Sequence, residues 1–372
     1  MLSALSALSA SMTVRRVDQV IPSLASRDAI GSHVLQLQAL LRSKGVDSDI
    51  FYGNATPDRV DHGLPIDRIG DRPSTGRVLL YQLSIGSPVA DIFRQRGERK
   101  FVNYHNITPA ELLEPWVPHV GEEVRRGRAQ LRALAEVTEF AVADSRYNER
   151  ELEDAGYRST ATVPLLVDLD DFDGEPDPVL AGRLADARAA GGADLLFVGK
   201  VSPHKGQADL VKALAAYRAL YDPRARLHLV GGAISDAYRT AVLRFADELG
   251  LADAVDVPGS VTHEELIAYY GHADAFVCLS NHEGFCVPLL EAMHHRVPIV
   301  SYVTTAVPET VDGAGLVLAD KQPARVAAAV HRVVTDAHLR GELARAAVER
   351  EAAFALPVVR ERFASAILDA CG

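Results

Sequence analysis

The chain has 372 residues, 48% hydrophobic and 24% charged. That balance excludes wholesale disorder, a collagen-like fibre and a disulfide scaffold, and at roughly 150 residues per domain it indicates two domains. The net charge of −11 argues against general nucleic-acid binding, because an acidic surface repels phosphate backbones.

No run of about 18 uninterrupted apolar residues is present to span a membrane. The first twelve residues, MLSALSALSASM, lack the basic flank of a signal peptide. We expect a frayed tail there, with Met12 as a candidate start. Apolar runs then predict strands over 17–22, 46–51, 77–82, 100–105, 139–143 and 162–166, with helical patterns over 31–44 and 122–137 among them. Strands alternating with helices make βαβ units and a parallel sheet. Two basic clusters stand out: Arg94, Arg96, Arg99 and Lys100, then Arg125, Arg126, Arg128 and Arg132. They read either as a solvated loop and helix face or as a landing patch for an anionic lipid or polymer.

The stretch 168–192 breaks the rhythm. It opens with DLDDFDGEPDP, acidic and rich in turn formers, and reads as a linker followed by a short Ala-rich helix over 180–190. The alternation restarts with strands expected over 194–199, 227–231, 255–258, 275–279 and 298–302. Helices are expected over 207–221, 236–249, 262–272, 288–294, 323–335, 339–354 and 358–370. Two open α/β sheets in tandem would face each other across a cleft, with ligands at the carboxyl ends of their strands. The three cysteines, Cys278, Cys286 and Cys371, are an odd set without C-x-x-C spacing. That argues against disulfides and zinc and points to a reducing cytoplasm.

Four stretches carry chemistry. In SNHEGFCVPLLEAM, a strand end leads through Glu283 and Gly284 into a helix with Pro288 in its first turn and Glu291 one turn on. Free amides at that helix start favour a phosphate, and the two carboxylates can accept hydrogen bonds from sugar hydroxyls beside it. Alternatively, both glutamates are ordinary first-turn helix residues. In FVGKVSPHKG, Lys200 and Lys205 follow a strand on a glycine loop and suit a diphosphate, or form a solvated charged loop. In SLASRDAIGSHV, Gly31 permits close backbone approach to a phosphate, or simply turns the chain. In FVNYHNITP, His105 and Asn106 end a strand, either at a site or as a satisfied structural pair. No H-E-x-x-H or D-x-D stands out as a metal clamp, and the adjacent His294 and His295 point to different sides of a helix.

Together these stretches resemble glycosyltransferase family 4, retaining nucleotide-sugar enzymes of GT-B fold. The glutamate pair Glu283 and Glu291 matches the family signature, and GFCVPLLEAM, RVPIVSY and AVPETVDGAGL flank it in the family's order. GKVSPHKG matches the family's glycine–basic–lysine loop, with Lys200 where arginine is usual; this keeps the charge and loses the planar fork. YHNITP and SRDAIGSHV resemble a bacterial subgroup that builds surface polysaccharides or decorates secondary metabolites.

The resemblance implies an α/β, GT-B architecture of two Rossmann-like domains. An acceptor-binding domain would span 1–172, a linker 173–192 and a donor-binding domain 193–357, with the final helix, 358–372, packed back on the first domain. It implies that Glu291 binds ribose hydroxyls, and that Glu283 contacts the donor sugar with backbone amides of Gly284, Phe285 and Cys286. Lys205 and Lys200 would neutralise the diphosphate, with Gly31 opposite. His105 would lie at the reacting face, and the base would sit near Val257 and Gly259. Asn106 and Trp116 are candidates for the acceptor side.

The implied function is metal-independent, front-face transfer of a hexose to a saccharide, lipid-linked or secondary-metabolite hydroxyl. A GDP- or UDP-sugar is the co-substrate, with no further cofactor, in the cytoplasm or loosely at the inner membrane face. The rival readings are a sugar-nucleotide epimerase on the same fold and a non-catalytic nucleotide-sugar-binding subunit.

Overall fold

A computed structural model describes residues 14–26, 28–70 and 76–372. The expected tail, 1–12, and the candidate start at Met12 lie outside the described residues.

The first sheet draws on β1 (Arg16–Leu24), α1 (Ala29–Ser43), β2 (Ile50–Ala55), β3 (Leu64–Pro65), β4 (Arg77–Leu83), α2 (Pro88–Gln95), β5 (Arg99–Tyr104), α3 (Pro118–Ala135), β6 (Phe140–Ala143), α4 (Arg146–Ala155) and β7 (Thr160–Thr162). All its pairings are parallel, in the order β3-β2-β1-β4-β5-β6-β7. The central strand β4, RVLLYQL, is buried along its whole length, as a parallel strand covered by helices on both faces must be.

The second sheet follows α5 (Pro178–Ala189). It contains β8 (Asp194–Val198), α6 (Gln207–Leu220), β9 (Arg226–Val230), α7 (Asp236–Glu248), β10 (Val255–Gly259), α8 (His263–His272), β11 (Ala275–Cys278), α9 (Val287–His294), β12 (Ile299–Tyr302), α10 (Val307–Val311) and β13 (Gly315–Leu318). Its order is β10-β9-β8-β11-β12-β13, again parallel. Helices α11 (Pro323–Thr335), α12 (Ala337–Ala352) and α13 (Leu356–Cys371) close the chain. Two Rossmann-like sheets of this kind make the GT-B fold.

Local chemistry explains several boundaries. Asp28 caps α1, Ser87 precedes α2 with Pro88 in its first turn, and Ser145 caps α4. Thr262 and Glu265 form a reciprocal capping box at α8. The short β3 and β13 and the helices α2, α4 and α10 are additions to the elements expected from periodicity. Each has ten residues or fewer, so each offers little periodic pattern. The stretch 168–192 is more than a connector: Leu180 and Leu184 of α5 are buried in the second domain's core.

The last helix returns to the first sheet. Val359, Phe363 and Ile367 are fully buried with Val17, Leu37, Val78 and Phe101. Among the described residues, no helix is long and apolar enough to cross a membrane.

Strand order reverses between β1 and β4 in the first sheet and between β8 and β11 in the second. Crevices open at such switch points beyond the strand ends. The loops after β8 and β11 carry Lys200 with Lys205, and Glu283 with Gly284, while Gly31 lies in the first turn of α1, which follows β1.

Candidate active site

The loop after β8 turns through a short 3-10 segment, Pro203–Lys205, into α6. Gly206 makes that turn with φ 73°, and a Cβ there would stand 2.3 Å from the Leu279 carbonyl oxygen. Only glycine lets the lysine loop lie this close to the end of β11. Lys205 Nζ donates to Glu283 Oε2 at 2.6 Å, with side chains 19% and 5% exposed. Burial pulls the Lys205 pKa down, but the charge and hydrogen bond of Glu283 outweigh it and hold the pKa above the ordinary lysine value. Lys200 is exposed.

Glu283 is fixed through its backbone. Its N–H donates to Thr305 Oγ1 at 2.8 Å, and the same hydroxyl donates to its carbonyl at 2.6 Å. Gly284 touches the first domain: a Cβ there would stand 2.5 Å from Asn106 Cβ and 3.0 Å from the His105 carbonyl oxygen. Phe285 is buried edge-on to Phe354, and its carbonyl accepts from Thr310 Oγ1 at 2.7 Å. Cys286, at φ 74°, precedes α9, whose start no side chain caps. Amides at such an uncapped start favour an anion.

Glu291, one turn into α9, accepts from the Tyr270 hydroxyl at 2.7 Å. Burial raises its carboxyl to about 7, against the Tyr270 hydrogen bond and the charge of His263. Burial and the neighbouring Glu291 charge push Tyr270 well above its usual value, so its hydroxyl stays a donor. Near the expected base position, the Val257 carbonyl accepts from Arg239 Nη2 at 3.1 Å. Gly259, at φ 85°, would have nothing within 4 Å of an added Cβ.

On the first domain, the side chain of His105 is 1% exposed. Its Nδ1 lies 2.9 Å from Asp144 Oδ2 and its Nε2 2.7 Å from Gln82 Oε1. Both ring nitrogens are thus held by the domain's own polar groups, and it is the His105 carbonyl that borders Gly284. Burial raises the Asp144 carboxyl, opposed by the charge and hydrogen bond of His105. Gly31 N–H donates to Asp28 Oδ2 at 3.3 Å, so a carboxylate already engages that amide. A Cβ on Gly31 would stand 2.6 Å from the Ala25 carbonyl oxygen, which is the reason for glycine here. Burial raises the Asp28 carboxyl, while the charges of His105 and Lys200 oppose the shift.

Asn106, at φ 76°, ties the domains together. Its amide nitrogen donates to Asn148 at 2.8 Å and Glu151 at 2.9 Å, and its Oδ1 lies 2.6 Å from His282 Nε2. Burial, with Arg128 and Lys205 nearby, lowers His282 to about 4. The neutral His282 ring therefore donates Nε2–H to Asn106. Ser145 Oγ donates to the Gly284 carbonyl at 2.8 Å, and the Arg146 N–H donates to both Glu309 oxygens at 2.9 Å. Trp116 is 42% exposed and packs edge-on against Tyr238 of α7, 5.0 Å between ring centroids. A cavity of about 490 Å³ lies between the domains beside Asp144, Ser145, Phe285 and Glu309.

The structure therefore brings Lys205, Glu283, Gly284, His105 and Asn106 together. It also adds Thr305, Tyr270, Gln82 and Asp144, which no motif marked, and His282, Asp28 and Glu309, which stand inside the quoted stretches without having been singled out. Of the two basic clusters, Arg96, Arg99, Arg125 and Arg128 pair with Glu98, Glu139, Glu114 and Glu151.

The solved structures similar to this chain share its fold. Sucrose-phosphate synthase from Thermosynechococcus elongatus superposes with a TM-score of 0.75 at 20% identity, over 95% of this chain and 99% of that one. Anabaena HepE, solved with UDP-glucose, has a TM-score of 0.75 at 14% identity over 95% and 99%. Among sequence relatives, a D-inositol 3-phosphate glycosyltransferase of Frankia alni is 34% identical over 58% of this chain and 54% of its own. A GDP-mannose-dependent alpha-(1-6)-phosphatidylinositol monomannoside mannosyltransferase of Mycobacterium tuberculosis is 31% identical over 56% of each. The chain thus spans about half the length of these curated relatives. Residues 186–350, which hold Lys200, Lys205, Glu283 and Glu291, match the family described as glycosyl transferases group 1.

Proposed function

We propose that the chain is a retaining hexosyltransferase of the family 4 type, using a nucleoside-diphosphate sugar. The observation that carries the reading is the buried Lys205–Glu283 pair beside the uncapped start of α9. The group 1 match over 186–350 and the glycosyltransferase names of the relatives support it. The relative named as GDP-mannose-dependent and the HepE complex with UDP-glucose make GDP- and UDP-sugars the first donors to test.

In this reading Glu291 and Tyr270 grip the ribose, and the base lies against Gly259. Lys205, Lys200 and the amides of Gly284, Phe285 and Cys286 hold the diphosphate and donor sugar. Glu283 orients both Lys205 and the sugar hydroxyls. As the bond from the anomeric carbon to the diphosphate breaks, negative charge grows beside Lys205, and stabilising that charge lowers the barrier. The acceptor oxygen bonds to the anomeric carbon on the same face, and its proton passes to the departing phosphate oxygen. Domain closure at Asn106, His282 and Gly284 excludes water that would hydrolyse the donor.

The first domain, to residue 172, with the final helix, binds a saccharide, lipid-linked or small-molecule acceptor. The second domain, 193–357, binds the donor. Three buried free cysteines suit a reducing cytoplasm.

A thermal-shift panel of UDP, GDP, ADP and dTDP, on wild type and Glu291→Ala, tests the donor site. Ligand at 100 times its Kd stabilises by about 2.7 kcal/mol, a shift of roughly 5–10 °C for this size. One nucleotide should shift the wild type and lose its effect in the variant. No shift with any nucleotide overturns the donor reading. A glycosyl adduct trapped on Glu283 would overturn the front-face step.

A further inference from the structure

We propose that Cys278, Cys286 and Glu283 form a binding site for one soft divalent cation of the zinc or cadmium class. Cys278 ends β11 and Cys286 precedes α9, so the turn between strand and helix folds a C-x7-C spacing back on itself. The two sulfurs and a Glu283 carboxylate oxygen all lie within 4.8 Å of one another. Tetrahedral zinc with Zn–S bonds near 2.3 Å holds its sulfurs about 3.8 Å apart, inside the 4.8 Å that bounds these ligand atoms, and a water would take the fourth position.

The ligand chemistry selects the ion. Two thiolates and one carboxylate suit zinc or cadmium, whereas magnesium and calcium take all-oxygen sets. The residues are 1%, 9% and 5% exposed for Cys278, Cys286 and Glu283, so little water competes. Binding sends both thiol protons to solvent. The two thiolates, the carboxylate, the divalent cation and the Lys205 ammonium then sum to zero charge, which limits the cost of burial. The cation draws on the carboxylate that Lys205 now holds at 2.6 Å, so an occupied site weakens that pair. The site shares Glu283 with the transferase reading, but its test does not depend on that reading, since metal binding needs only these three side chains.

Cadmium chloride titrated into the full chain, kept reduced with a phosphine, tests it through the ultraviolet sulfur-to-cadmium absorption band. The expected result is a band saturating at one cadmium per chain, abolished in Cys278→Ala and in Cys286→Ala and retained in Cys371→Ala. Glu283→Gln should weaken binding by at least the roughly tenfold loss that even outer partners of a ligand produce. A wild type without the band, or a band intact in Cys278→Ala or Cys286→Ala, overturns the site. Because Cys278 lies in the core, cadmium NMR of the wild type gives a reading free of any folding defect. A resonance in the two-thiolate range supports the site, and one in the all-oxygen range overturns it.

Discussion

Glu291 shows at the scale of one residue how a binding group is held against its own preference. Burial raises its carboxyl to about 7 from 4.5. Between those values the folded state binds more protons than the unfolded state, so stability falls as pH rises through that window. Glu291→Gln, which keeps the shape without the charge, should be more stable than wild type at pH 8, with the gain shrinking toward pH 4.5. Urea melts at several pH values measure this, and parallel curves would refute it. Lys205 presents the opposite case, a cation held charged by its partner. Lys205→Ala should lower turnover by about two to three orders of magnitude, as loss of a donor to developing charge does. Steady-state kinetics on the active donor checks this, and near-normal kcat would show that the phosphate site lies elsewhere.

At the scale of elements, the loops after β8 and β11 are shaped by glycines that admit neighbouring backbone. Gly284 is the clearest, because its missing side chain is what lets the second domain touch His105 and Asn106. Gly284→Ala should keep each domain folded, since the clash lies between domains, and push them apart. Small-angle scattering should report a larger radius of gyration with an unchanged circular dichroism spectrum, and an unchanged radius would refute the contact. The same contact explains why Asn106 accepts the left-handed region at φ 76°: three side-chain hydrogen bonds, one of them to His282, over-determine it.

Across the whole molecule, the two domains are joined by more than the connector, because α13 returns to the first sheet. Phe363, fully buried there with Leu37 and Phe101, should cost about 3–5 kcal/mol as Phe363→Ala. Nucleotide binding at temperatures below the melt should persist, because the donor loops are all on the second sheet. Differential scanning calorimetry with and without nucleotide checks both halves of that statement, and loss of nucleotide binding in the folded variant would overturn it. Asn106→Ala should loosen the closed arrangement without unfolding either sheet, seen as faster proteolysis between the domains. Equal proteolysis rates would count against Asn106 as the tie.

Periodicity and turn chemistry in the sequence alone determined the two α/β halves, because buried parallel strands must be continuous apolar runs and helices must show an apolar stripe. They also marked the Lys205 and Glu283–Glu291 stretches, because a strand end, a glycine turn and a helix start are local features. Elements such as β3, β13 and α2 left too little pattern to be read, and their existence depends on neighbours that cover them. Only the tertiary structure decided which side chains meet. It paired Lys205 with Glu283, put Tyr270 on Glu291, engaged the Gly31 amide with Asp28, and buried both ring nitrogens of His105 between Asp144 and Gln82. It also brought Cys278 and Cys286 together, where their spacing alone had argued against a metal. The physical reason is that contacts between distant strand ends are set by sheet order and domain closure, which no local stretch of sequence encodes.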